Sequence, residues 1–256
     1  EAFDAAPEFR LSATPDAVNL VPGGQAVVSI QVERRENIAG AIAVTVDGLP
    51  PGVTALPCVV PPDADRVSLV LRAETNAVIA ANPVTIFGTY TGTDGKQIVR
   101  RAAPLDFYRI QNNQLRPLWR GTQTVAVVES EPSPAVSVAV EGAENGIALA
   151  MNKETPIVVK LARREGFKSE LFVVPMNFPP GVSLRGNTYV GGDKSEAQLS
   201  LYLDGNARFL TGERPAKNLP PMQLVFAVRP NGVPDRDFIA CSAPIAVSLK
   251  PEPAKP

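Results

Sequence analysis

Apolar and polar residues alternate along most of this chain with a period of two. Val28, Ile30 and Val32 stand against Ser29, Gln31 and Glu33, and Ile42, Val44 and Val46 against Ala43, Thr45 and Asp47. Val67, Leu69 and Leu71 repeat the pattern in the first half. In the second half it returns at Leu199, Leu201 and Leu203, at Leu224, Phe226 and Val228, and at Ile245, Val247 and Leu249. A two-residue period puts one face of each segment in a core and the other toward water, which is the signature of β-strands. No stretch carries an apolar stripe of period 3.6. Turn signals separate the segments at Pro22-Gly23-Gly24, Pro50-Pro51-Gly52, Pro61-Pro62-Asp63, Thr93-Asp94-Gly95, Gly191-Gly192-Asp193 and Pro230-Asn231-Gly232. The first half reads as about seven strands, near residues 8–14, 25–35, 40–48, 53–60, 66–73, 83–91 and 96–109.

The pattern occurs twice. Val32-Glu33-Arg34-Arg35-Glu36 is answered by Leu161-Ala162-Arg163-Arg164-Glu165, and Gly48-Leu49-Pro50-Pro51-Gly52-Val53 by Asn177-Phe178-Pro179-Pro180-Gly181-Val182 at the same offset. Leu69, Leu71, Asn76 and Ala77 then match Leu199, Leu201, Asn206 and Ala207, and Ala103-Pro104-Leu105 matches Ala243-Pro244-Ile245. Four matches in unbroken order read as one unit duplicated. Strands of this number and spacing are satisfied by two packed antiparallel sheets. The fold expected is therefore all-β: two tandem immunoglobulin-like sandwiches of the seven-strand class. "Immunoglobulin-like" refers to architecture, since the cysteine–tryptophan–cysteine set of antibody domains is missing. The domains are expected at residues 1–130 and 131–250, with a proline-rich tail at 251–256. Glu131-Pro132-Ser133-Pro134 is the stiff boundary. Thr124-Val125-Ala126-Val127-Val128 reads as a further strand that either completes the first sandwich or pairs between domains; the first domain is drawn to include it.

Composition removes several chemistries. The chain holds no histidine, so imidazole-based triads and histidine zinc sites are unavailable. Its two cysteines, Cys58 and Cys241, fall in separate halves and read as buried small hydrophobes rather than a bridge or a thiolate site. The net charge of −1 gives no field for nucleic acid, and no apolar run reaches the roughly 20 residues that span a bilayer. The opening Glu1-Ala2-Phe3-Asp4 does not read as a signal peptide, which fits a cytosolic protein, a processed one or a fragment. No cofactor is expected, and the chain does not read as an enzyme. Carboxylates such as Glu33, Glu36 and Asp47 are better explained as solvated strand ends than as a hydrolase pair. Asp63 with Asp65, and Asp235 with Asp237, lack the dense ligand spacing of a calcium loop. An internal lysine–amide crosslink would need a buried lysine; Lys160 is the candidate.

Candidates for ligand contact lie in the basic stretch Lys96, Arg100, Arg101, Arg109, Arg116 and Arg120, interleaved with Phe107, Tyr108 and Trp119. Trp119, Arg116 and Arg120 are the residues singled out, as a stacking ring flanked by guanidinium groups that would suit an anionic polymer or a polysaccharide. The competing explanation is a last strand and linker whose arginines lie over packed rings. A surface patch on Tyr189 and Tyr202 would also favour sugar binding.

The run Leu20-Val21-Pro22-Gly23-Gly24, Arg34-Arg35, Gly48-Leu49-Pro50-Pro51-Gly52-Val53 and Val67-Ser68-Leu69-Val70-Leu71 resembles immunoglobulin-like repeats of large secreted proteins from planctomycete-type bacteria, often found beside bacterial pre-peptidase C-terminal domains. The second unit departs at Val174-Pro175-Met176-Asn177-Phe178, where the Gly-Leu before Pro-Pro is lost, and at the long insertion near Asn206 to Asn218. The resemblance implies export, to the periplasm, cell surface or exterior. It also implies a non-catalytic role, spacing or presenting neighbouring domains, with a protein or cell-envelope component as partner. The alternative is an accessory module for carbohydrate or an envelope partner.

Overall fold

A computed structural model describes residues 8–35, 38–62, 64–109, 115–120, 123–205, 222–233 and 237–249; of these, the side chains of 106–109, 115–120 and 249 are outside the description. The chain divides into two compact units, Glu1–Ser133 and Pro134–Pro256. Among the described residues every regular element is a strand.

In the first unit one layer contains β1 (Glu8–Thr14), β3 (Gln25–Arg35), β7 (Arg66–Ala73) and β5 (Val53–Ala55), in the order β1-β3-β7-β5. The other contains β2 (Ala17–Leu20), β11 (Thr124–Val128), β8 (Ala80–Thr91), β4 (Ile42–Asp47) and β6 (Cys58–Val60), in the order β2-β11-β8-β4-β6. The chain changes layers between β1 and β2, at a cis Thr14–Pro15 peptide. Phe9, Leu11, Val28, Ile30, Ile42, Val60, Leu69, Leu71 and Ile86, drawn from both layers, form one buried core. This is the immunoglobulin-like sandwich.

The second unit repeats the order. One sheet is β12 (Val136–Val140), β14 (Glu154–Arg163), β18 (Glu196–Leu203) and β16 (Val182–Arg185). The other runs β13 (Ile147–Leu149), β21 (Ile245–Leu249), β19 (Met222–Pro230), β15 (Leu171–Met176) and β17 (Tyr189–Val190), with β20 (Ala240–Cys241) beside β19. Registers agree as well as order. Val28 faces Leu69 as Ile157 faces Leu199. Val53 faces Ala73 as Val182 faces Leu203, and Ile42 faces Val60 as Leu171 faces Val190.

One predicted strand needs correction, and one observed strand was not predicted. Residues 53–60 are not one strand but two in opposite layers, β5 on β7 and β6 on β4, because Leu56-Pro57 carries the chain across. β2, only four residues long, shows too little alternation to stand out. Thr124–Val128 pairs inside the first unit, antiparallel to β8 and parallel to β2.

The last strand explains why the halves diverge in length. In the second unit it is broken into β20 and β21, with buried Ser242 at the gap accepting the Phe226 N–H on its Oγ (3.1 Å) and donating to the Ala243 carbonyl (2.9 Å). The first unit opens at the same place. β9 (Gln97–Arg109) pairs with β8 through Arg101, then runs parallel to β1 over Ala102–Pro104, and returns through β10 (Leu115–Arg120) before β11 resumes beside β8. The sequence match at Ala103-Pro104-Leu105 therefore ends at Pro104: Ile245 faces Leu224 on β19, whereas the residue facing Val84 at the corresponding point of β8 is Thr124.

The repeated arginines hold this frame. Arg34 donates from Nη1 to the Gly40 carbonyl (2.8 Å) and from Nη2 to the Pro61 carbonyl (2.7 Å). Arg163 donates from Nη1 to Ser169 (2.7 Å) and from Nη2 to Gly191 (3.0 Å), the corresponding positions. A guanidinium can serve two separated carbonyls because its donors form a rigid fork. Each arginine thus ties the end of the second long strand to the loop it feeds and to the strand end beyond.

The Pro-Pro-Gly-Val motif is a turn. Val53 N–H donates to the Pro50 carbonyl and Val182 N–H to Pro179, both at 3.0 Å. Gly52 and Gly181 sit at φ 78° and 82°, the third position of a type II turn. The loss of Gly48 in the second unit follows the same logic. Its left-handed φ of 83° is taken at the corresponding position by Asn177 at φ 47°, and asparagine tolerates that region better than most side chains.

Two expectations follow. A Cβ on Gly52 would lie 2.8 Å from the Ala77 Cα, so Gly52→Ala should destabilise the first unit by at least about 1–2 kcal/mol, read as a lower urea midpoint with the second transition unmoved. Glu8 and Arg100, on β1 and β9, form a two-bond ion pair (2.8 and 2.7 Å). The Arg100 guanidinium holds the Glu8 carboxyl down at about 2 from 4.5. A depressed folded-state value contributes stability that is whole above the unfolded value and disappears as pH falls through the folded one. Between pH 5 and 2 the first unit of Glu8→Gln should therefore lose less stability than the parent; parallel pH profiles would show that the pair contributes nothing.

Candidate functional site

Arg116, Trp119 and Arg120 share one short strand, β10, paired antiparallel with β9. Arg116 faces Tyr108, Trp119 faces Asp106 and Arg120 faces Leu105, with an irregularity between Pro117 and Trp119. The side chains of these three candidates lie outside the described residues. Two described members of the basic stretch are engaged in ion pairs. Arg100 is held by Glu8, and Lys96 Nζ sits 3.2 Å from Asp94, whose carboxyl is held below its usual range first by the Lys96 backbone N–H.

The other sequence candidates are dispersed. Glu33 pairs with Arg35 (3.1 Å) on an exposed strand end; Glu36, Asp63 and Asp235 lie outside the described residues. Among the described residues no three acidic or cysteine side chains gather as a metal would require. Lys160 is not buried: its ammonium meets Glu196 (2.6 Å) and Glu141 (3.4 Å) at a half-exposed outer position, where the pairing with Glu196 raises its pKa. That surroundings is a solvated ion pair, not the dry niche a crosslink needs. Cys58 and Cys241 are free thiols, 4% and 2% exposed, each pushed up to about 12 by desolvation. At neutral pH both stay protonated and are poor nucleophiles.

Tyr189 and Tyr202 do not form one patch, because their strands belong to the two different sheets of the second unit. Tyr202 is capped by Arg185, whose guanidinium carbon lies 3.8 Å from the ring centroid and whose Nη1 donates to Glu154 (2.8 Å). Tyr189 stays 37% exposed at the end of a row that sequence reading did not assemble. Its ring meets Phe172 edge-on at 5.6 Å, and Arg229 lies 4.9 Å over Phe172. The three are cross-strand neighbours on β17, β15 and β19. Glu170 closes the row: it accepts from the Tyr189 hydroxyl and from Asn231 (2.9 Å), and the tyrosine contact chiefly holds its carboxyl below the ordinary range. Arg229 also donates to the Val233 carbonyl (3.1 Å). The described polar groups of the row are turned on one another or on backbone carbonyls. It offers one exposed ring beside charged groups, an arrangement suited to a contact surface.

No protein-family model matches the sequence, and no curated protein matches it. Among solved structures, the chain is similar to the fibronectin(III)-like modules of Clostridium thermocellum CbhA at 10% identity and a TM-score of 0.27, covering 94% of this chain and 93% of that one. It is similar to the D0-D1 domain of intimin at 8% identity and a TM-score of 0.27, covering 93% of this chain and 97% of that one. The sandwich assignment rests on the strand pairing described above.

Proposed function

We propose that the chain is a non-catalytic structural and interaction segment of an exported bacterial protein, a duplicated pair of sandwiches that spaces or presents neighbouring domains. One observation carries this reading. In each unit the last strand runs parallel to an early one: β11 to β2, from Val125 opposite Ala17 to Val128 opposite Leu20, and β21 to β13, from Ile147 opposite Val247 to Leu149 opposite Leu249. Parallel neighbours near the two ends of a unit send the chain in at one end and out at the other. A pull along the chain then loads the bonds between these strands together, in shear, instead of opening them one after another. A spacer needs that arrangement; a catalytic domain does not.

The chemistry of the repeated residues supports the same reading. The arginines and the Pro-Pro-Gly-Val turns that recur in both units are committed to backbone carbonyls and turn geometry. Export rests on the sequence resemblance, and the partners in this reading are protein or envelope components.

The test is mechanical. Val125 N–H donates to the Asp16 carbonyl and Glu129 N–H to Leu20, both at 2.8 Å, so by alternation Val127 N–H also faces β2 rather than β8. Val127→Pro removes a donor worth about 1 kcal/mol from that ladder alone. Stretched by its ends in single-molecule force spectroscopy, the parent should give two unfolding peaks, and the variant should lower one and keep the other. Peaks indifferent to this change would sink the spacer reading.

A further inference from the structure

The chain contains two Asn-Gly pairs, Asn145-Gly146 and Asn231-Gly232. Asparagine before glycine is prone to internal cyclisation, because a glycine nitrogen with no Cβ beside it closes on the asparagine Cγ with little steric hindrance. Whether a folded chain permits the ring depends on how the glycine peptide is held, and the two turns hold it differently. Gly146 N–H donates to the Ala143 carbonyl (3.0 Å), and the residue is pressed on the backbone of Ala246: a Cβ at Gly146 would lie 2.7 Å from the Ala246 carbonyl oxygen. Gly232 is exposed at φ 81°, nothing lies within 4 Å of the place its Cβ would take, and among the described residues its N–H has no acceptor.

Around Asn231 the flanks are tied and the link to Gly232 is not. The Asn231 N–H donates to the Glu170 carbonyl (2.9 Å) and its Nδ2 to Glu170 Oε2 (2.9 Å). Arg229 Nη1 donates to the carbonyls of Pro230 (3.4 Å) and Val233 (3.1 Å). Among the described residues no bond holds the peptide that joins Asn231 to Gly232, and both residues are exposed to water. The Nδ2 bond to Glu170 is the one contact that the side chain must give up as its Cγ approaches the Gly232 nitrogen.

We propose that Asn231 is a site of spontaneous deamidation in the folded protein, and that the fold protects Asn145. The Gly232 nitrogen attacks Asn231 Cγ. The N–Cγ bond forms, the Cγ–Nδ2 bond breaks, and the side-chain nitrogen leaves as ammonia with the proton that Gly232 gives up. Water then opens the succinimide: addition at Cγ gives aspartate, and addition at the main-chain carbonyl gives isoaspartate, whose backbone runs through the side chain. No electrons are exchanged. At the row on β17, β15 and β19 the reaction replaces a donor with a carboxylate. Asn231 Nδ2 gives Glu170 a hydrogen bond, and Glu170 is also the acceptor of the Tyr189 hydroxyl. Aspartate at 231 sets two carboxylates against each other where that bond was. The product loosens the exposed Tyr189 end of the row, so this contact surface changes as the molecule ages.

The test uses the whole folded chain, held in mildly alkaline heavy-oxygen water below its melting transition and then digested for peptide mass spectrometry. The Asn231 peptide should take up heavy oxygen and divide into aspartate and isoaspartate forms. The Asn145 peptide should do so at least about fivefold more slowly, the factor that one retained hydrogen bond sets on a rate. In denaturant, where neither glycine is held, the two rates should converge, and Asn231→Gln should remove the conversion at that site. A folded chain in which Asn231 stays intact overturns the proposal. So does Asn145 keeping pace with it, the same lag persisting in denaturant, or a product without isoaspartate, which would mean direct hydrolysis. Asn231→Asp installs one product directly. It should lower the melting midpoint of the second unit at neutral pH, and the deficit should vanish as pH falls and one of the two carboxylates takes a proton. A midpoint unchanged at neutral pH would overturn the loosening of the row.

Discussion

In each unit a strand satisfies its backbone only by pairing and its apolar side chains only by facing the opposite sheet. With side chains alternating every residue, these two demands together admit a single register. Slipping β3 by one residue against β7 would turn Val28 and Ile30 to water and bring Ser29 and Gln31 into the core. The second unit obeys the same constraint with different residues. Ile157 and Leu199 meet where Val28 and Leu69 do, and the side chains differ in size while the ladder does not. Everything else in the molecule is fitted to that frame: the turns and the arginine ties.

The residues that look most like motifs are the ones most fully committed to it. Arg34 and Arg163 serve carbonyls at the ends of neighbouring elements, where the regular ladder has run out and backbone acceptors would lack partners. The Pro-Pro-Gly turns fix φ twice and then supply a positive φ, reversing the chain within four residues. At position 177 asparagine takes the left-handed backbone in place of glycine without changing the turn that follows.

One divergence between the units falls where the last strand is interrupted. In the second unit a buried serine bridges the gap; in the first, the chain leaves for the other layer, covers the edge of β1 and comes back. The added chain there leaves both sheets intact, because the last strand is discontinuous in both units.

Fold class and most strand positions were legible in the sequence because period-two alternation and proline–glycine turns are local signals, and Gln25–Arg35 and Arg66–Ala73 were read to the residue. The absence of imidazole chemistry was legible from composition. The four-residue β2 and the crossing at Leu56-Pro57 were not, since segments of three or four residues carry too little alternation to separate from loop. Only tertiary structure could bring Tyr189, Phe172 and Arg229 into one row, tie Arg100 to Glu8 across the chain, or set Ala102–Pro104 beside β1. These are facts of which strand lies beside which, and lateral pairing joins residues whose separation along the chain says nothing about their distance in space.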